Sequence, residues 1–108
     1  MDLKIISPKQ LQQKIREDQQ VLILDVRATE KYENNHIEGG NIKSVNIPKD
    51  LIFNLNEDFL KDLPKTQEIV VTCTTGNSAK KCAAILKENQ YDVTVLEGGI
   101  TAWNTSDE

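Results

Sequence analysis

Three short and predominantly apolar runs recur along the chain, at residues 21–26, 69–73 and 93–96. A run that is apolar on both faces is typical of a strand in the centre of a parallel sheet, because helices cover such a sheet on both sides. Each run is therefore predicted to form a buried β-strand. The only charged residue within the three runs is Asp25, near the end of the first.

The segments between the runs have helical character. Ser7 followed by Pro8 predicts a capped helix start, and this helix is expected to continue to about Glu17 with Leu11 and Ile15 on its apolar side. Further helical or irregular pieces are predicted around residues 30–34, 55–61 and 79–89. Strands that alternate with helices indicate an α/β domain with a largely parallel sheet.

Length and charge narrow the class of protein. The 108 residues are expected to form a single domain (residues 1–108, core about 3–103), with a frayed tail at residues 105–108. The net charge of −4 argues against nucleic acid or an anionic membrane surface as the main partner. No apolar stretch approaches the roughly 20 residues of a membrane-spanning helix, and the first residues do not begin a secretory signal. Two cysteines without a disulfide framework favour the reducing cytoplasm.

Cys73 is the candidate nucleophile. It ends the second apolar run, and a short polar loop and a helix-like stretch from Ala79 follow it. Backbone N–H groups converge on anions at such a junction between a strand and a helix, and they stabilise a thiolate. Gly76 permits the positive φ angle that aims successive amides inward. The alternative interpretation is a buried cysteine in an ordinary strand-to-helix turn.

Side chains of the same segment are expected to add donors and charge around the sulfur. Thr74, Thr75 and Ser78 carry hydroxyl groups, and Lys80 or Lys81 brings positive charge close to the start of the helix. Hydrogen bonds to a charged acceptor contribute about 1.5–3 kcal/mol each, more than a helix dipole alone supplies. The loop is therefore expected to hold the thiolate mainly through hydrogen bonds.

Asp25 indicates the same location as Cys73. Each of the two residues ends a predicted strand, and the carboxyl ends of parallel strands meet at one edge of the sheet, where the sites of α/β domains form. Asp25 and Arg27 are expected to form a buried or half-buried polar pair that supports the neighbouring loops and takes no part in the chemistry.

Five segments along the chain form an ordered set of motifs. They are Leu24-Asp25-Val26-Arg27, Tyr32-Glu33-x-x-His36-Ile37-x-Gly39, Asn46-Ile47-Pro48, the loop from Cys73 to Ala79, and Leu96-Glu97-Gly98-Gly99-Ile100-Thr101-Ala102-Trp103. In this order they resemble the motifs of the single-domain rhodaneses, a family of sulfurtransferases, over nearly the whole chain. The resemblance implies a three-layer α/β/α domain around a mostly parallel central sheet of about five strands.

The resemblance also implies a reaction. Cys73 would attack the sulfane sulfur of thiosulfate or of a low-molecular-weight persulfide, and the resulting Cys73 persulfide would pass the sulfur to cyanide, to a thiol or to a carrier protein. The rest of the loop would bind the donor: Thr74, Thr75, Gly76, Asn77, Ser78 and Ala79. We expect a monomer that needs no cofactor, and two cysteines and one histidine at these spacings form no zinc pattern.

The loop departs from the family pattern in its charge. Ser78 stands where many family loops carry an arginine, and Arg16 and Arg27 are the only arginines of the chain. Donor binding is therefore expected to rest on backbone amides, on hydroxyl groups and on Lys80 or Lys81.

A second departure lies between the second and third motifs. The link from Gly39 to Asn46 is longer than the family's usual link. An extended loop is therefore expected from Gly40 to Val45.

Structural roles are expected for several other residues. Cys82 shares a helical face with apolar residues, so it is predicted to be a core thiol and not a partner of Cys73. The resemblance implies an architectural hydrogen bond for His36 and not the role of a base. Trp103 is expected to anchor the last helix against the sheet together with Ile100, and the two glycines before it allow a tight turn.

Three other functions were weighed for a cysteine on this kind of scaffold, and the sequence argues against the first. A cysteine phosphatase needs a longer loop that ends in an arginine, and this chain has neither. A non-catalytic regulatory module on the same fold is the second alternative, although such modules often lose the cysteine. A sulfur carrier that serves a partner protein shares the chemistry of the enzyme and differs only in its substrate.

Overall fold

The computed structural model describes residues 3–17 and 19–105. Of the tail predicted to be frayed, only Thr105 is described, where it ends the last helix, and residues 106–108 lie outside the described residues. Within the described ranges, no helix is both long and apolar enough to cross a membrane.

A sheet of five parallel strands forms the centre of the described chain. The strands are β1 (Lys4–Ile6), β2 (Val21–Asp25), β3 (Ile42–Asn46), β4 (Ile69–Thr72) and β5 (Val93–Leu96). Their order is β1-β5-β4-β2-β3, and every neighbouring pair is parallel. β2, β4 and β5 are buried along their whole length, as their continuous apolar runs predict. The prediction of an α/β fold with a parallel sheet of about five strands is confirmed.

Helices connect the strands on both sides of the sheet. They are α1 (Pro8–Arg16), α2 (Thr29–Asn34), α3 (Lys49–Phe53), α4 (Glu57–Leu60), α5 (Asn77–Glu88) and α6 (Gly99–Thr105). The start of α1 follows from its sequence: Ser7 Oγ accepts a hydrogen bond from the Gln10 amide, and Gln10 Oε1 accepts one from the Ser7 amide. Pro8 fits the first helical position, where no amide hydrogen is needed.

The core divides into two clusters, one on each face of the sheet. The larger cluster joins alternate residues of β2 and β4, such as Leu24 and Val71, to the inner face of α5. The smaller cluster joins the other residues of these strands to Leu11 of α1 and Ile100 of α6. Trp103 is partly buried and packs against this second cluster, as expected. The two clusters make the three layers predicted from the resemblance.

The expectation of an extended loop from Gly40 to Val45 is wrong. Residues from Ile42 onward form β3, which pairs with β2 from Val21↔Ile42 to Asp25↔Asn46. β3 is an edge strand whose residues are half-buried or exposed, so it has no continuous apolar run to mark it in the sequence. The short strand β1 at the opposite edge was not predicted either, since two of its three residues are exposed.

The helical segments differ from the sequence prediction mainly at their ends. α5 begins at Asn77, two residues before the expected start, and its cap is Gly76, which has no side chain to announce a helix. The helical or irregular piece expected around residues 55–61 contains the single turn of α4, and the preceding helix α3 was not predicted. α1 and α2 lie where they were expected.

Candidate active site

The strand ends bring Asp25 and Cys73 to one edge of the sheet, as predicted. Asp25 is paired with Thr72 in the parallel register of β2 and β4, and Cys73 is the next residue along the chain. The Val26 amide donates to the Thr72 carbonyl at 2.9 Å, which continues the pairing for one step beyond the strands. The chain after β2 and the chain after β4 therefore leave the sheet side by side.

The sulfur of Cys73 accepts hydrogen bonds from two backbone amides of the loop that follows it. Gly76 N lies 3.0 Å and Ala79 N lies 3.3 Å from Cys73 Sγ. Gly76 is the N-cap of α5 and has φ +103°, a conformation that glycine adopts without strain, and it offers no side chain to the first turn. The cysteine sulfur thus takes the place of the usual N-cap oxygen and accepts the amide of the third helical residue.

The amino terminus of α6 fixes the carbonyl side of the same loop. Ile100 N donates to the Cys73 carbonyl at 2.8 Å, and Thr101 N donates to the Thr74 carbonyl at 3.0 Å. This contact requires glycine at position 99, because a Cβ there would lie 2.4 Å from the Cys73 carbonyl oxygen and the φ angle is +63°. With its carbonyl groups bound to α6, the loop turns its amides towards the sulfur.

Asp25 and Arg27 form the ion pair expected from the sequence. Arg27 Nη2 lies 2.7 Å from Asp25 Oδ2, Arg27 Nε lies 3.0 Å from both carboxylate oxygens, and the side chains are 8% and 1% exposed. The same guanidinium also donates to the Asn35 carbonyl. Asn46 Nδ2 ties the segment to β3 through the carbonyl groups of Asp25 (2.9 Å) and Arg27 (3.0 Å). The ion pair fixes the segment after β2 to the end of α2, and Asn46 fixes the same segment to β3.

A pocket of about 420 Å³ opens above Cys73. Cys73 is only 5% exposed, and it lines this pocket together with Thr74, Thr75, Asn77 and Ser78. Gly76 and Ala79 are not among the lining residues; they are buried and reach the sulfur through their amides. All six residues of the predicted loop after Cys73 therefore donate to its sulfur or line the space in front of it.

Three charged residues of the pocket were not among the site residues predicted from the sequence. Lys31 from α2 and Lys49 and Asp50 from α3 line the pocket opposite the loop. Lys80 and Lys81 lie in the first turns of α5 as expected, but they are exposed and do not line the pocket. The nearest signal in the sequence is the position of Lys49, directly after the Asn46-Ile47-Pro48 motif.

Cys82 is fully buried in the larger core cluster, as predicted. Burial and the nearby charge of Cys73 raise the pKa of the Cys82 thiol to about 12, against a smaller opposing effect of Lys49. A thiol with such a pKa stays protonated at neutral pH. Both free cysteines are buried, but the sulfur of Cys73 accepts two amide hydrogen bonds, whereas the surroundings of Cys82 keep it a neutral thiol.

His36 makes local contacts away from the sulfur. Its Nδ1 lies 2.7 Å from the Tyr32 carbonyl oxygen, and the two rings stack with centroids 4.0 Å apart. The Tyr32 hydroxyl donates to Ser44 Oγ at 3.0 Å, so the stack is connected to β3. These contacts agree with an architectural role for the histidine.

The sequence and the fold have clear relatives. The family model of the rhodanese-like domain matches residues 7–106 of this chain. Thiosulfate sulfurtransferase GlpE of Pseudomonas syringae pv. syringae is 34% identical over 106 residues, which are 97% of this chain and 91% of that protein. The putative sulfurtransferase YtwF of Bacillus subtilis is 28% identical over 95% of this chain and 92% of its own length.

A solved structure agrees with these relatives. The rhodanese-like domain protein from Staphylococcus aureus superposes with a TM-score of 0.78 at 29% identity, over 94% of this chain and 91% of that one. The family match spans residues 7–106, and the GlpE relative from Pseudomonas syringae aligns with 97% of the chain. The chain therefore belongs to the rhodanese-like domain family and is a sulfurtransferase of the GlpE kind.

Proposed function

We propose that Cys73 is the nucleophile of this sulfurtransferase and that it carries a sulfane sulfur from thiosulfate, or from a low-molecular-weight persulfide, to cyanide or to a thiol. The observation that carries the proposal is the pair of amide hydrogen bonds at 3.0 and 3.3 Å on Cys73 Sγ, at the base of an open pocket. These amides point at the atom that carries the negative charge of the attacking thiolate.

In the first step the Cys73 thiolate attacks the outer sulfur of thiosulfate. A bond forms between Cys73 Sγ and this sulfur, the bond from the sulfur to the sulfonate breaks, and sulfite leaves with the electron pair. The products are the Cys73 persulfide anion and sulfite, and no proton is transferred. The negative charge of the protein moves outward by one sulfur atom, into the pocket that Thr74, Thr75 and Ser78 line.

In the second step the acceptor removes the outer sulfur. Cyanide attacks it, the bond between the two sulfur atoms breaks, and thiocyanate leaves while Cys73 returns to the thiolate. A thiolate acceptor reacts in the same way and leaves as its own persulfide. Neither step needs a general base, and no histidine is among the described residues that line the pocket.

Intact-mass spectrometry tests the proposal directly. The protein is incubated with thiosulfate or with glutathione persulfide and measured before and after treatment with a reductant. We expect a gain of one sulfur atom that the reductant removes and that peptide mapping assigns to Cys73. Cys73→Ser should gain no sulfur, because the changed atom is the attacking one.

Cys82→Ser is the matched control, since it removes the other thiol from the same core. It should load sulfur as the wild type does. Sulfur uptake by a folded Cys73→Ser protein, or loss of uptake in a folded Cys82→Ser protein, would contradict the proposal. The natural acceptor, the monomeric state and the cytoplasmic location stay predictions from the sequence.

A further inference from the structure

The end of α3 and the helix α4 carry an exposed apolar surface. Four large hydrophobic residues are exposed in the part of the chain that the structure describes, and three of them fall between residues 53 and 59. These three are termed the α4 surface: Phe53 (39% exposed), Leu55 (41%) and Phe59 (48%). Single exposed hydrophobic residues are common, but a cluster of them marks a contact surface. None of the three lines the pocket above Cys73.

Leu55 has a backbone conformation that glycine adopts more easily. Its φ angle is +49°. It follows the C-cap of α3, where its amide donates to the Ile52 carbonyl and the Asn56 amide donates to the Leu51 carbonyl, each at 3.0 Å. Glycine is the usual residue at this point of such a helix end, because a side chain there is strained. The end of α3 therefore does not explain the leucine, whose exposed side chain is available for a contact outside the domain.

The helix α4 forms a ridge between two grooves. One groove of about 540 Å³ is lined by residues that include Leu55 and Tyr91. The other, of about 270 Å³, lies between α4 and β3 and is lined by residues that include Phe59 and Val45. Leu63 lines both grooves. Since helices pack with the ridges of one in the grooves of another, a ridge beside a groove is shaped to pack against a copy of itself.

The charges around α4 cancel. Three acidic and three basic residues, all exposed, lie on α4 or line the two grooves: Glu57, Asp58, Asp62, Lys43, Lys61 and Lys65. None of the six forms an ion pair within residues 3–17 and 19–105. Two copies of a chain with net charge −4 repel each other, but this surface adds nothing to the repulsion. A strongly charged partner of either sign would gain no net attraction from it.

We propose that the α4 surface is the interface of a two-fold symmetric dimer, in which a second copy of this chain covers it. Glu57 and Lys61 lie one helical turn apart, and both line the larger groove. Every contact of a two-fold dimer occurs twice, so Glu57 of one protomer faces Lys61 of its partner, and the reverse. The apolar residues of the α4 surface then leave water beside these pairs. The dimer replaces the monomer that the sequence predicts.

Sedimentation equilibrium with Leu55→Asn tests the apolar contact. The molecular mass of the wild type should rise from 12.2 kDa towards twice that value between about 1 µM and about 1 mM protein, the range expected for an interface of modest size. Leu55→Asn should weaken the association about tenfold, because asparagine keeps the turn and removes the apolar side chain. Gln90→Asn is the matched control. Gln90 has φ +71° at the corresponding position after α5 and lies outside the α4 surface, so its association should equal that of the wild type.

Phe59→Ser tests the ridge itself. It should also weaken the association about tenfold, because exposed aromatic residues dominate small interfaces. Ile5→Thr is the matched control, since Ile5 is 48% exposed like Phe59 but lies in β1, at the opposite edge of the sheet from β3. Equal losses in the two variants would overturn the proposal, because association would then follow any exposed hydrophobic residue.

Charge reversal tests the two-fold arrangement. Lys61→Glu leaves two negative charges at the larger groove, and Glu57→Lys leaves two positive ones. Each variant alone should associate several-fold more weakly than the wild type at low salt, and the loss should shrink as the salt concentration rises. An equimolar mixture of the two variants should associate as the wild type does, because each negative groove then faces a positive one.

Three results would overturn the dimer. They are a wild type that stays at 12.2 kDa over the whole range, a folded Leu55→Asn protein that associates as strongly as the wild type, and a mixture that associates no better than either charge variant alone. Urea denaturation checks that each variant is folded. Sulfur loading at Cys73 should be unchanged in all of them, because none of the substituted residues lines the pocket above the sulfur.

Discussion

Charged residues lie at both ends of the parallel strands, but only the edge formed by the carboxyl ends of the strands leaves groups available for a ligand. At the edge where the strands begin, Glu68 accepts from Lys14 at 3.2 Å and from the Thr94 hydroxyl, and Lys4 pairs with Asp92 at 2.6 Å. Each of these groups has a partner within the protein. This edge therefore joins α1 to the sheet and offers no unpaired group among these five residues.

At the edge where the strands end, some polar and charged groups are paired within the protein and others are available to a ligand. Asp25 and Arg27 are enclosed by each other and by backbone carbonyls. The loop amides are turned towards Cys73, and Lys31 and Lys49 stay unpaired in the part of the chain that the structure describes. The comparison shows that a buried ion pair can support the loops of a site while the groups that would contact a ligand stay unpaired.

Removal of one partner from the closed pair should give the largest effect. Arg27→Gln leaves the carboxylate of Asp25 buried without its counter-charge, so the free energy of unfolding should fall by about 3–5 kcal/mol. Urea denaturation measures it. Lys14→Gln is the matched change at the other edge, where Glu68 is partly exposed, and it should cost less than about 1 kcal/mol. Equal losses in the two variants would contradict the distinction between the edges.

A side chain at position 99 should come next. Gly99→Ala places a Cβ against the Cys73 carbonyl and forces a non-glycine residue into positive φ, so we expect a loss of about 2–4 kcal/mol in stability. Sulfur loading should fall more than stability explains, because the loop that holds the thiolate shifts. Gly40→Ala is the control, since no atom lies within 4 Å of the added Cβ and stability should change little. Normal loading by Gly99→Ala would show that the α6 contact does not set the loop.

The second cysteine tests whether the core behind the site takes part in the chemistry. Cys82→Ser buries a hydroxyl group in an apolar cluster and should cost about 1–3 kcal/mol. The rate of sulfur transfer should nevertheless equal that of the wild type at a temperature where both are folded. A folded variant without activity would indicate a mechanism that uses both thiols.

The smallest effect should come from Glu68. Burial alone would raise the pKa of Glu68, but the Thr94 hydroxyl and Lys14 outweigh it and hold the pKa below its ordinary value of 4.5. The carboxylate therefore stabilises the fold at neutral pH, and this contribution disappears as the pH falls through the lowered pKa. Glu68→Gln should cost about 0.5–1 kcal/mol at pH 7, and the difference from wild type should vanish in acid. Sulfur loading should be unchanged, and a loss would break the separation of the two edges.

The sequence predicts those parts of the structure that a single chain segment determines. The apolar runs of β2, β4 and β5 need no partner to reveal them, and Gly76 indicates the turn that points amides at Cys73. The edge strand β3 depends on pairing with β2, which half-buried polar residues do not announce.

The charges of the pocket could not be found for a related reason. Lys31 and Lys49 line the same pocket as Cys73 only because three chain segments leave the sheet at neighbouring positions. The lysines nearest in sequence, Lys80 and Lys81, are helix residues whose side chains are exposed outside the pocket. Proximity along the chain was therefore a poor guide to the electrostatics of this site.

The hydrogen bonds from Ile100 and Thr101 to the loop around Cys73 have a consequence for biosynthesis. A ribosome makes the cysteine well before it makes the segment that fixes the loop. Until residue 101 has left the exit tunnel, the thiol lacks its final setting. The loop around Cys73 is thus expected to reach its folded geometry only after the segment of α6 has been made and has docked against it.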